Sequence, residues 1–145
     1  MKNYIFSLVI FTVFLSLNIE ARDDVHFFPI DSALFQHSAL VNPNIKLYFG
    51  TTLPPEKVAS DLGTFTSNKT TNARRKPPRQ SCDWVFMSAI KSLQQRAVTE
   101  GGDAVVNIHS YYNKIEKLDE EVYECHDGKN VSGVALRGTV VKLEE

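Results

Sequence analysis

The stretch Ser81 to Tyr112, SCDWVFMSAIKSLQQRAVTEGGDAVVNIHSYY, decides the fold of this 145-residue chain. Cys82, Val85, Phe86, Ala89, Ile90, Leu93 and Ala97 recur at three- and four-residue steps and so share one stripe of a helix. Ser88, Lys91, Ser92, Gln95 and Arg96 fall largely elsewhere, with Trp84 and Met87 toward the stripe's edge. Ser81 suits an N-cap and Asp83 a first turn, and Gly101-Gly102 supplies the left-handed residue that stops such helices. A helix of this length spans about 28 Å, enough to cross a small sheet. Ala104 to Tyr112 then reads as a strand returning beside it. Strict alternation places Ala104, Val106, Ile108 and Ser110 on one face and Val105, Asn107, His109 and Tyr111 on the other.

Downstream, Asp119, Glu120 and Glu121 form an acidic turn region. Val122 to Cys125 begins a strand, Asp127-Gly128 marks a turn, and Val131 to Leu143 is a long last strand. Gly133 and Gly138 within it mark bulges or close backbone approach. Upstream, Ile45 to Gly50 reads as the first strand. Pro54-Pro55 followed by Glu56 to Leu62 predicts a short helical turn, and Gly63 to Thr66 a brief strand. Ser67 to Arg79 reads as a polar, basic loop, with Lys69, Arg74, Arg75, Lys76 and Arg79 as a candidate partner contact or simply a solvated surface. Arg22 to Asn44 is too apolar for a free tail, with Phe27, Phe28, Ile30 and Phe35, yet Pro29 and Pro43 break it. An extended N-terminal arm, packed on its own domain or on a partner, is expected there. The fold expected is α+β: a small, mostly antiparallel sheet of about four strands, one main helix on one face, and the arm.

Residues 1–21 read as a secretory signal. Lys2 supplies positive charge, Tyr4 to Leu17 is almost unbroken apolar sequence, and Ala21 suits the position before cleavage. The run is short for a membrane span, which needs about 20 residues, and holds no cysteine for a lipid anchor. Export to the periplasm or beyond is the expected localisation, with the mature domain over residues 45–145 behind the arm at 22–44. Without Lys2 and Glu20 the chain keeps its formal charge of −1, which leaves no electrostatic footprint for nucleic acid.

Two cysteines in an exported chain, Cys82 and Cys125, invite one disulfide. A redox or thiolate-metal site is the competing reading, but the chain has no C-x-x-C. His26 and His37 sit in the arm without ligand spacing. His109, Glu124 and His126 are zinc-ligand types, but neighbours on a strand point to opposite faces, so no metal set is assigned. Pairing of the cysteines would remove the thiolate that a Cys-His nucleophile needs, and there is no G-x-S-x-G elbow. No catalytic residue and no cofactor is expected.

The patterns KLYFG, DLGTFTSNKTTNA, QSCDWVFMSAIKSLQQRA, EGGDAVVNIHSYY, YECHDG and VSGVALRGTVVKL resemble a family of small exported bacterial proteins often labelled excinuclease ATPase subunits. That label implies nucleotide binding, and the chain has no G-x-x-x-x-G-K-[ST] to cradle phosphates. More distantly, the order of strand, D-L-G segment, helix and A-V-V strand resembles RcsF-like and YbjQ-like periplasmic domains. The RcsF resemblance implies a disulfide between the helix region and a later strand, which Cys82 and Cys125 echo. The chain lacks that family's lipobox cysteine and second cysteine pair, so anchoring and sensing do not carry over.

One helix covers one face of a sheet. The other face, expected to carry Val105, Asn107, His109, Tyr111 and Arg137, is a candidate interaction face unless the arm covers it. The expected function is therefore non-enzymatic binding by an exported envelope protein, either as a subunit of an envelope or secretion assembly or as a stress component. A protein partner or a second copy is expected, and no nucleotide or nucleic acid. The alternative is a metal-binding or thiol-dependent periplasmic protein.

Overall fold

The apolar stripe between Cys82 and Ala97 is buried against a mixed, six-stranded sheet in the computed structural model, which describes residues 22–145. The expected signal segment, 1–21, lies outside the described residues. The strands are β1 (Asp24–Pro29), β2 (Lys46–Phe49), β3 (Val58–Asn72), β4 (Ala104–Ser110), β5 (Val122–Asp127) and β6 (Val131–Leu143). The helices are α1 (Ile30–Gln36) and α2 (Pro78–Glu100). The class is α+β as expected, with more strands and one parallel pair, β2 with β4. No helix among the described residues is long and apolar enough to cross a membrane.

β6 is the strand on which the sheet is built. It is long enough that β5 pairs with its beginning and β4 with its end along one edge, while β3 runs antiparallel along the other. Val134, Leu136 and Val140 of β6, with Val105 and Ile108 of β4, meet Val85, Phe86, Ala89, Ile90 and Leu93 of α2. All of these are at most 2% exposed, and each large one contributes roughly 1.5–3 kcal/mol by burial.

Four expectations are corrected. The brief strand expected at Gly63 to Thr66 is present but is part of a 15-residue strand, β3, that replaces most of the helical turn expected at Glu56 to Leu62 and the first part, Ser67 to Asn72, of the expected loop. Thr64, Thr66, Thr70 and Thr71 of β3 are β-branched, and pairing with β6 from Val58 to Asn72 outweighs the weak helix-start signal at Pro54-Pro55. Helix α2 begins at Pro78 rather than after Ser81, because proline fits a first helical position whose N–H needs no partner. Ser81 is therefore inside the helix, donating to the Pro78 carbonyl at 3.2 Å.

The arm is not extended throughout. Its first part is β1, paired residue for residue with β5, and its second is α1, whose Ile30 and Ala33 enter the core. Gln94 of α2 holds the next segment: it accepts from the Asn42 N–H at 2.9 Å and donates to the Asn42 and Ile45 carbonyls at 3.0 and 2.8 Å. The arm thus packs on its own domain, at the sheet's edge rather than over its second face.

The alternation in β4 is broken at Asn107, where φ is 52° and the register with β6 shifts. This bulge puts both Val105 and Ile108 on the helix side. Gly138 makes room for them, since a Cβ there would lie 2.7 Å from Val105 Cγ1 and 3.2 Å from Ile108 Cγ1. The helix stop is as read, with Gly101 left-handed at φ 76°.

Cys82 and Cys125 lie at disulfide distance with Cα atoms 5.9 Å apart, tying the start of α2 to β5. At a sequence separation of 43, the loop-closure model assigns the bond about 4 kcal/mol. Replacing both cysteines by alanine should lower the unfolding free energy by about that amount, and reductant should destabilise the native protein but not the variant. Denaturant titrations with and without reductant check both.

Candidate interaction surfaces

Alternation along β5 sends Tyr123, Cys125 and Asp127 toward α2, and Glu124 and His126 to the other side. Tyr123 stacks on Phe86 at 4.1 Å between centroids and donates its hydroxyl to Asp83. Asp83 is 3% exposed and also accepts from Arg79 Nε at 2.7 Å. Burial, then the Asp83 hydrogen bond, push the Tyr123 hydroxyl far above its usual pKa, so it stays a donor. Arg79 also donates to Ser32 Oγ of α1 at 3.0 Å and lies over the Phe28 ring. It is a structural bridge rather than part of a free basic loop.

On the opposite face, Tyr112 stacks on His126 with centroids 3.4 Å apart and planes within 8°. His126 Nε2 is 2.8 Å from Glu124 Oε1 and its Nδ1 is 3.1 Å from Asp23 Oδ1, while Lys117 contacts the other Glu124 oxygen. Glu124 and His126 do meet, because residues two apart on a strand share a face. Both ring nitrogens are held by carboxylates. Among the described residues no three His, Cys, Asp or Glu side chains converge as a metal set. Burial works to raise the Glu124 pKa, but hydrogen bonds from Lys117 and His126 outweigh it and hold the carboxyl below its usual value. Burial, then Asp23 and Glu124, raise that of Tyr112.

This cluster forms one wall of an open cleft of about 1070 Å³ over β3, β5 and β6. The segment from Tyr111 to Glu121 crosses this side of the sheet and is pinned by a Ser110–Lys117 bridge. The face is thus partly covered by the chain's own connection.

Of the expected face, His109, Tyr111 and Arg137 are brought together. Arg137 lies opposite His109 in the ladder and 4.7 Å from the Tyr111 ring centroid. His109 is buried, with Nδ1 2.6 Å from the Asn107 carbonyl oxygen. Val105 is not on this face: at 0% exposure it belongs to the core beneath α2. Asn107 is the bulge itself. Of the expected basic loop, Arg74, Arg75 and Lys76 form an exposed turn, whereas Lys69 lies on β3.

The surface missed in the sequence is the outer edge of β3. Among the described residues β3 pairs only with β6, so its other row of N–H and C=O groups has no strand partner. From Thr64 to Asn72 the register runs for nine residues without a break. The threonine alternation was the available signal. β1, the edge beyond β5, is shorter and ends in Pro29, and β2 has four residues and a register shift.

No family model, curated protein or solved structure matches the chain.

The depressed Glu124 pKa has a stability consequence with a definite sign. Its contribution is present above the unfolded carboxyl value of about 4.3 and is lost as pH falls through the lower folded value. Glu124→Gln should therefore cost most above the unfolded carboxyl value and progressively less as pH falls below it through the lower folded value. Urea titrations of both proteins across this range check it.

Proposed function

We propose that this chain is an exported, non-enzymatic envelope protein that acts by binding another protein, as a subunit of an envelope assembly or a stress-response component. The observation that carries the binding reading is the free edge of β3. A long, regular edge strand is a template for strand addition, and proteins without a use for one interrupt it with proline or bulges, shorten it or cover it. β3 has its irregularities only before Thr64. The signal-like segment at 1–21 supports export. Both cysteines are engaged with one another, so the thiol-dependent alternative has no nucleophile in this state.

A photo-crosslinking side chain in place of Asn68 on β3 should capture a discrete partner in intact envelopes. The same group in place of Val25, on the distant edge strand β1, should not. Recovery of monomer alone from both positions, or capture from Val25 only, would overturn the reading.

A further inference from the structure

We infer that the groove between the free edge of β3 and the adjoining flank of α2 takes an extended, acidic peptide ending in an apolar residue. This deepens the binding reading above and rests on it.

The groove has two walls of different character. One is the β3 edge, which offers unpaired backbone groups. The other is a polar flank of α2, set beside the stripe that enters the core, and between them is a space of about 640 Å³. At one end Arg96 lies over the Phe65 ring, 4.0 Å from its centroid. At the other, Thr71 and Trp84 line a neighbouring depression. Phe65 to Thr71 is six strand steps, about 20 Å, so the groove matches a peptide of six or seven extended residues.

Two observations give the occupant its chemistry. The lining carries Lys69, Lys91 and Arg96 and no carboxylate. Arg96 is held by Glu100 at 2.8 Å, whereas Lys69 and Lys91 make no ion pair among the described residues. Ser67, on the groove floor, is 5% exposed and its Oγ has no hydrogen-bond partner among the described residues. A buried hydroxyl left unpaired is costly, and a strand added alongside would supply the missing acceptor. Trp84, 52% exposed, provides an aromatic surface for an apolar side chain at the peptide's end. Carboxylates on alternate residues would share one face of the added strand and meet Lys69 and Lys91.

Trp84 is the chain's single tryptophan, so its fluorescence reports on the groove. The probe is a capped nine-residue peptide with glutamate at positions 1, 3, 5 and 7, threonine between them and leucine at position 9, so that glutamates and leucine share one face; it is titrated into protein purified from expression of the full chain. Saturable change in Trp84 emission is expected, with affinity about tenfold weaker for the glutamine counterpart, a size two exposed ion pairs can supply. Added salt should weaken only the glutamate peptide. A Lys69→Glu, Lys91→Glu double variant should prefer the lysine counterpart. Ser67→Ala should bind the peptide several-fold more weakly while raising Tm, since it deletes an unsatisfied group. A purely structural serine would not give that combination.

Equal affinity for the glutamate and glutamine peptides would overturn the acidic preference and leave the β3-edge reading standing. Absence of saturable binding would overturn the groove proposal. Perturbation of backbone amides at Tyr111 to Lys114 without those of β3 would overturn both readings. Response to an anionic polysaccharide in place of any peptide, or a concentration-dependent dimer of the purified protein with β3 amides protected, would also overturn the proposal.

Discussion

The structure depends on the junction between the first turns of α2 and strand β5. Three contacts meet there within five helix positions: the Cys82–Cys125 bond, the Asp83–Tyr123 hydrogen bond and the Phe86–Tyr123 stack. The covalent link constrains the unfolded chain, but Asp83 is the more demanding element of the native state. A buried carboxylate stripped of its partner typically costs 3–5 kcal/mol, so the Asp83 site requires Arg79 and Tyr123 together. Arg79 in turn reaches Ser32 and Phe28, which brings α1 and β1 to the same place. One residue away, Ser81 Oγ lies 2.9 Å from Ser132 Oγ, whose hydroxyl donates to Asp127, so the β5–β6 hairpin is tied in as well.

From this junction the long strand β6 distributes the rest of the sheet. Since β5 and β4 share one of its edges, the other is left for β3, and among the described residues β3 ends the sheet on that side. The helix that covers the core runs close to that edge. The same α2 therefore supplies two surfaces of unlike chemistry: an apolar stripe consumed in the core and a polar flank facing an unpaired strand. The opposite face is occupied differently. Tyr112, His126, Glu124 and Lys117 satisfy one another across it, so its titratable groups stabilise the connection after β4 and offer few free valences.

Elements with strong local signals were legible in the residues. The stripe from Cys82 to Ala97, the Gly101 stop, the strand Val131 to Leu143 and the cysteine pair each carry periodicity, a required backbone conformation or a scarce side chain. Of β3 only Gly63 to Thr66 was legible, because an edge strand with few buried positions shows little apolar alternation, and its other threonines and asparagines resemble a loop. The bulge at Asn107 was invisible for a related reason: alternation is read on the assumption of regular pairing, and one inserted residue reverses every face after it.

Composition and spacing by themselves determined an α+β domain with one long amphipathic helix, an expected cross-link and no phosphate-binding loop. Only the tertiary structure decided that the N-terminal arm joins the sheet, that Arg79 is held against the buried Asp83 rather than presented to a partner, and that Val105 turns inward. It alone decided that β3 ends the sheet beside α2. The physical reason is common to all four. Each depends on which chain segment competes for a given edge or buried charge, and that competition is settled by contacts between residues tens of positions apart, such as Thr66 with Arg137 and Gln94 with Asn42.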